Sequence, residues 1–227
     1  QDKQPGRILW AARFLDWKHP ELPIRTADYL RRKGLSFHLD MVGSGDMEEQ
    51  VAALINELKL QDVVTLHGYC SPGPIRSMME QSDIYLATSD REEGWGAVVN
   101  EAMNSGCAVV GSSMMGAVPY LIRHGENGMI YRDGSEEALF QMTEKLLGDR
   151  ELCQRLGRNA VQTITGEWNA ETAAERLLGF CVRQGFLEAG DISETVDWRN
   201  APESGPVSGA PVVSERKMYS ALMRHHL

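Results

Sequence analysis

The sequence predicts an α/β fold: a doubly wound parallel sheet of Rossmann-like topology, followed by carboxyl-terminal helices. Short apolar runs such as Ile8 to Ala12 and Ile84 to Ala87 alternate with stretches whose apolar residues recur at helical spacing. Glycine turns, Gly43-Ser44-Gly45 and Gly94-Trp95-Gly96 among them, follow the ends of the strand candidates. Strict strand–helix alternation with short connections builds a parallel sheet covered on both faces.

Each element has its own signal. Gly6 to Ala12 is apolar enough to be a strand buried on both faces. A loop marked by Pro20 and Pro23 is expected next, then a helix from Ile24 to Lys33 ended by Gly34. Ser36 to Val42 reads as the second strand, stopped by Gly43-Ser44-Gly45. Across Asp46 to Leu58, Val51, Leu54, Ile55 and Leu58 mark one apolar helix face. Val63 to Leu66 is the third strand. Pro72 to Gln81 is a helix with Pro74 in its first turn, where a missing N–H does no harm. Ile84 to Ala87 is the fourth strand, Ala97 to Asn104 a helix, Ala108 to Gly111 the fifth strand and Gly116 to Tyr120 a turn. Helices follow over Glu136 to Leu147 and Arg150 to Ile164, parted by Gly148-Asp149, and over Ala170 to Gln184. Asn200 to Pro211 has the Pro, Gly and Ser content of a linker, and Ser214 to Met223 has the pattern of a short amphipathic helix. The expected organisation is one Rossmann-like domain over 1–185, then a linker and terminal helix over 186–227.

Composition narrows the function. With 23 Lys and Arg against 32 Asp and Glu, the net charge is −9, which argues against broad nucleic-acid affinity. No apolar run approaches the roughly 18 residues of a membrane helix. Cys70, Cys107, Cys153 and Cys181 are far apart with no C-x-x-C pair, and three lie among apolar neighbours, so buried reduced thiols are expected. His38, His67 and His124 show no metal-ligand spacing and read as structural.

The most informative stretch is Glu93-Gly94-Trp95-Gly96-Ala97-Val98-Val99-Asn100-Glu101. Its order is strand, loop with a carboxylate, glycine turn, and helix with a second carboxylate. Open α/β sheets hold phosphorylated ligands at the carboxyl ends of their strands, and N–H groups at a helix start face an anion. Carboxylates repel phosphate, so these two require hydroxyl donors, which sugars supply. A nucleotide sugar offers hexose, diphosphate and ribose in the matching order.

This segment resembles the donor-binding half of glycosyltransferase family 4, retaining enzymes of the two-domain GT-B fold, in which two glutamates separated by seven residues are a hallmark. The resemblance runs from Gly6 to about Gly148. It includes Ile8-Leu9-Trp10-Ala11-Ala12-Arg13 with Lys18, Met41-Val42-Gly43-Ser44-Gly45, Leu66-His67-Gly68-Tyr69, and His124-Gly125-Glu126-Asn127-Gly128-Met129-Ile130.

The resemblance implies that Arg13 and Lys18 hold the leaving diphosphate and that Glu93 contacts hexose hydroxyls, these three being the catalytic set. Gly94, Trp95, Gly96 and Ala97 would line the sugar and phosphates, Glu101 would accept from the ribose, and Gly43, Gly68 and Tyr69 would wall the nucleotide. Without that context, Arg13 and Lys18 read as solvated charges and Glu101 as a helix-surface acid. Three positions depart from the family: Ala12 and His19 stand where glycine is common, and Tyr120 where an acid is common. No cofactor or metal is expected; Arg, Lys and helix N–H groups take the place of a metal, and the donor is a nucleotide-diphosphate sugar. The acceptor, a glycan, lipid or small molecule, would bind an amino-terminal domain outside this chain, leaving half an enzyme that is inactive alone. The expected location is the cytoplasm, with the inner membrane face as the alternative for a full-length protein. Two other readings stay open: a dinucleotide-binding oxidoreductase domain, against which the incomplete G-x-G-x-x-G counts, and a non-catalytic interaction module of the same fold.

Overall fold

A computed structural model describes residues 3–132 and 134–188. Among them are six strands, β1 (Gln4–Ala11), β2 (His38–Val42), β3 (Val64–Leu66), β4 (Ser82–Ala87), β5 (Ala108–Ser112) and β6 (Met129–Tyr131). The helices are α1 (Glu21–Arg32), α2 (Glu48–Glu57), α3 (Pro72–Gln81), α4 (Val98–Asn104), α5 (Val118–Leu121), α6 (Glu136–Gly148), α7 (Arg150–Glu167) and α8 (Ala170–Arg183). The strands form one parallel sheet in the order β3-β2-β1-β4-β5-β6. Ile8 of β1 is in register with Leu39 of β2 on one side and Ile84 of β4 on the other. The chain therefore winds outward in one direction from β1 and in the other from β4. This is the α/β, Rossmann-like, doubly wound sheet that the alternation predicts, and its switch point lies between β1 and β4.

Alternate strand residues feed two cores. Ile8, Trp10, Leu39 and Met41 pack with Leu22, Ile24 and Leu30 of α1, Val51 and Ile55 of α2, and Leu139 and Leu146 of α6. Leu9, Ala11, Val42 and Tyr85 pack with Met79 of α3, Val99 and Met103 of α4, and Val118 and Leu121 of α5. Helix α7 serves both, placing Leu156 in the first core and Ala160 and Ile164 in the second. Burial on both faces explains why β1, β4 and β5 read as continuous apolar runs.

Several expectations need correction. The segment with Pro20 and Pro23 is not a loop: Pro20 is the N-cap of α1 and Pro23 lies in its first turn, where backbone N–H groups have no intrahelical acceptor. There are six described strands, not five, because Met129–Tyr131 pairs with β5 through Val110 against Met129. Three residues are too few to show a period. The expected turn from Gly116 to Tyr120 contains helix α5. Gly148 ends α6, and Asp149 alone separates it from α7, its side chain capping Leu152 N at 2.9 Å. Two cysteines, Cys107 and Cys153, are buried rather than three; Cys70 and Cys181 are half-buried, and all four are free thiols. The linker over Asn200 to Pro211 and the helix over Ser214 to Met223 lie outside the described residues.

The histidines are engaged as structural groups. His38 Nε2 lies 3.0 Å from Thr65 Oγ1, and His124 Nδ1 accepts from Ile130 N at 3.0 Å. His67 Nε2 lies 2.6 Å from Asp40, whose other oxygen accepts from Arg7 Nε at 2.6 Å. Asp40 is 1% exposed in the middle of β2. Burial opposes its charge, but the hydrogen bonds from Arg7 and His67 prevail and hold the carboxyl below its usual range. A depressed carboxyl contributes stability above the unfolded aspartate pKa of about 3.9 and loses it as pH falls through the lower folded value. Arg7→Ala strips one partner from this buried charge while Arg7 itself is partly solvated, so urea unfolding at pH 7 should show a loss of about 2–3 kcal/mol. The gap between variant and parent should narrow as pH falls below the unfolded value of about 3.9 and close only below the parent's lower folded value, where Asp40 is protonated in both.

Candidate functional site

In a parallel sheet every loop that follows a strand emerges at one edge, and the loops after β1 to β5 carry the predicted site residues. After β1 the chain turns through Arg13 into a short 3-10 turn, Asp16–Lys18. Phe14 N donates to Ser44 O at 2.9 Å, and Met47 N donates to Phe14 O at 3.0 Å, lacing this loop to the one after β2. Gly43 makes that closeness possible. Its φ is 142°, and a Cβ there would lie 1.8 Å from Ala12 O. Gly43 N in turn donates to Gly68 O at 2.9 Å, so the loops after β1, β2 and β3 form one backbone-bonded shelf. Tyr69, next on that shelf, is 80% exposed.

Across the switch point the first loop is bonded to the one after β4. Trp10 Nε1 donates to Thr88 Oγ1 at 2.8 Å, and the Thr88 hydroxyl donates to Lys18 O at 2.6 Å. Asp90 N donates to Trp17 O at 3.0 Å. The side chains meet as well: Lys18 Nζ and Glu93 Oε2 form an ion pair, and Ser89 Oγ donates to the same carboxylate oxygen at 3.3 Å. Burial, then the charge of Arg13, pushes the Lys18 ammonium below its ordinary pKa. Arg13 is exposed but close enough for its charge to act on Lys18.

The turn Glu93 to Ala97 rests on the loop after β5. A Cβ on Gly116 would lie 1.8 Å from Gly94 O, and Ala117 N donates to Trp95 O at 2.7 Å. Gly94 and Ala97 are exposed, so this backbone faces solvent on its other side. Trp95 is 40% exposed; its ring centroid lies 5.8 Å from those of both Tyr120 and Trp168, and its Nε1 donates to Asn100 Oδ1 at 2.9 Å. Its side chain thus belongs to an aromatic row flanking the turn. Ala97 caps α4, and Glu101 stands exposed in the first turn of that helix.

The structure brings Lys18 and Glu93 into contact, sets Arg13 beside Lys18, and bonds Gly43 to Gly68. Glu101 and Tyr69 face solvent at the same edge. Sequence reasoning passed over Thr88, Ser89 and Asp90, which are ordinary polar residues with no motif around them, and treated His19 only as a departure from glycine. Among the described residues, no three His, Cys, Asp or Glu side chains are grouped to hold a metal ion.

Comparison with known proteins accords with this layout. Residues 1–163 match the family model described as glycosyl transferases group 1. The amylovoran biosynthesis glycosyltransferase AmsK of Erwinia amylovora is 33% identical over 141 residues, covering 60% of this chain and 34% of that protein. A crystal structure of a TarM mutant from S. aureus, in complex with fondaparinux, alpha-GlcNAc-glycerol and UDP, superposes with a TM-score of 0.72 at 21% identity, covering 78% of this chain and 36% of that one. The C-terminal domain of a glycosyl transferase group 1 family protein (LpcC) from Francisella tularensis gives 0.64 at 21% identity, covering 73% of this chain and 88% of that domain. At such identities the structural likeness speaks for the fold. The chain spans only 34%, 45% and 40% of three curated relatives. Matched by its family model over more than half of its length, the chain belongs to the glycosyl transferases of group 1.

Proposed function

We propose that this chain is the donor side of a retaining hexosyltransferase of glycosyltransferase family 4, holding a nucleotide-diphosphate sugar at the β1/β4 switch point. The observation that carries the reading is the Lys18–Glu93 pair bridging that crevice. A cation and a hydroxyl-acceptor there match the two ends of a sugar–phosphate bond. As that bond breaks, negative charge grows on the diphosphate, and Arg13 with Lys18 stabilises it without a metal. Glu93 accepts from hexose hydroxyls, the Gly94-Trp95-Gly96-Ala97 backbone approaches sugar and phosphates, and Glu101 accepts from the ribose. The shelf of Gly43, Gly68 and Tyr69 walls the nucleotide.

The Lys18–Glu93 contact adds a step to this scheme. On this reading Glu93 neutralises Lys18 until an entering diphosphate takes Lys18 over and releases Glu93 to the sugar. The cation then never stands uncompensated in a half-buried place, where an unpaired charge is costly.

Family membership favours transfer over the oxidoreductase alternative. A non-catalytic module remains distinguishable by measurement. The partial coverage of the relatives supports an acceptor side, for a glycan, lipid or small molecule, in sequence outside this chain. On this reading the chain by itself binds donor and transfers no sugar. Among the described residues no helix is long and apolar enough to cross a membrane; the proposed location is the cytoplasm or the inner membrane face.

UDP, the nucleotide of the TarM complex, is the probe of choice for calorimetry. Binding should persist in EDTA, and Lys18→Ala should weaken it by about 1–3 kcal/mol, the scale of a charge-assisted hydrogen bond. Binding that vanishes with EDTA rules out the metal-free scheme, and unchanged affinity in Lys18→Ala returns that residue to a surface charge. Glu93→Gln separates the two halves of the exchange. It frees Lys18 from its internal partner, so UDP should bind as tightly as to the parent or more tightly, while the gain in affinity that the hexose of a UDP-sugar adds should shrink. Equal losses for both ligands would contradict the exchange.

A further inference from the structure

His19 stands out in the site loop for its backbone and for its ring. Its φ and ψ are 49° and 58°, the left-handed region, and among the described residues only Lys59 is another non-glycine with positive φ. L-residues avoid this region because Cβ crowds the following carbonyl. Something must hold it there. The imidazole lies between two carboxylates: Nδ1 is 3.1 Å from Glu21 Oε1 in the first turn of α1, and Nε2 is 3.1 Å from Asp90 Oδ2 in the loop after β4. Both ring nitrogens face acceptors, so only the doubly protonated ring satisfies both.

We propose that His19 is the positioning residue for Lys18, an imidazolium clip that fixes the left-handed turn after Lys18 to α1 and to the loop carrying Glu93. This rests on the donor-site reading above. The clip acts on the backbone that presents the ammonium. His19 N donates to Asp16 O and Leu22 N donates to His19 O, so the left-handed residue joins the short turn bearing Lys18 to the start of α1. Asp90 holds the other side twice, through its N–H to Trp17 O and its carboxylate to His19. Glycine reaches the same φ at no steric penalty, yet it leaves the turn free to leave it again. A histidine with two ionic partners gives up that freedom and fixes one geometry.

The charges around the ring support the clip. Glu21, with Arg25 behind it on α1, and Asp90 are the groups facing the imidazole, and the Lys18–Glu93 pair is adjacent. The hydrogen bond that the ring donates to Glu21 leads, and together with Asp90 it outweighs burial and pushes His19 up to about 9. A folded pKa raised above the unfolded value makes the contribution complete below the unfolded pKa of about 6.5 and lost as pH rises through about 9. At neutral pH the clip is closed.

Asp90→Asn tests this with little disturbance, since the amide oxygen still accepts from Glu92 N as Asp90 Oδ1 does at 2.8 Å. With ring-labelled histidine in the full chain, NMR should show His19 titrating near 9 in the parent and lower in Asp90→Asn. Trace acetylation of Lys18 should run several-fold faster in the variant, and UDP affinity at pH 7 should fall about fivefold with little change in melting temperature. His19→Gly should reproduce both effects. A parent ring titrating near 6.5, or unchanged Lys18 labelling and UDP affinity in both variants, overturns the clip. A parent that binds no UDP, with His19 titrating near 9 and Lys18 labelling altered in Asp90→Asn, removes the donor reading and leaves the positioning role standing.

Discussion

The Thr88 hydroxyl is the junction on which the site depends. It accepts from the indole of Trp10, buried in the first core, and donates to the carbonyl of Lys18. One oxygen thus joins the end of β4, the body of β1 and the loop that β1 emits. The bond from Trp10 is buried and the bond to Lys18 partly so, and Thr88 itself is 2% exposed, so a lost partner leaves a buried polar group unsatisfied. The loop after β1 therefore takes its position from the sheet. The switch point offers such a place because there two neighbouring strands send their following helices, α1 and α4, to opposite faces of the sheet, the arrangement that leaves a crevice at the strand ends of open α/β sheets.

On that frame the polar side chains are arranged in contact with one another. Lys18 and Glu93 satisfy each other across the crevice, with Ser89 donating to the same carboxylate oxygen. A half-buried pair of this kind adds little net stability, because desolvation cancels much of the attraction. On the proposed reading its physical value is that the site is neutralised yet ready for a diphosphate. Burial and Arg13 both disfavour the ammonium, so Lys18 is a cation held at a disadvantage that a diphosphate would relieve.

Much of the fold was legible because burial on both faces writes itself as apolar runs, and single-face burial as a 3.6 period. What failed was short or context-dependent. β6 is three residues at the sheet edge, below any period, and the prolines of α1 look like breakers unless the helix start is known. Cysteine burial failed for a similar reason, since Cys181 lies between Phe180 and Val182 in sequence but is only half-buried on α8. At the site, Lys18 and Glu93 were legible through their motif, whereas Asp90 and His19 were not. The pair is 71 positions apart, and neither residue carries a pattern. Trp95 was legible as an aromatic beside the turn, but its row with Tyr120 and Trp168 depends on α5 and the α7–α8 junction folding back beside that turn.

On the proposed reading an acidic chain takes an acidic ligand, and it must solve its electrostatics locally. A net charge of −9 gives a repulsive field at long range. At physiological salt, exposed charges are screened beyond about 8 Å, so most of that field is lost before it reaches the crevice. What remains are short contacts: an exposed Arg13, a half-buried Lys18, and backbone N–H groups of a turn kept open by glycine. His19 belongs to this local balance, since its two carboxylates, Glu21 and Asp90, would otherwise add negative charge beside Lys18. An imidazolium between them cancels half of that charge and holds the loop in the same step. The clip and the cation are thus parts of one electrostatic arrangement, built where the sheet fixes the backbone.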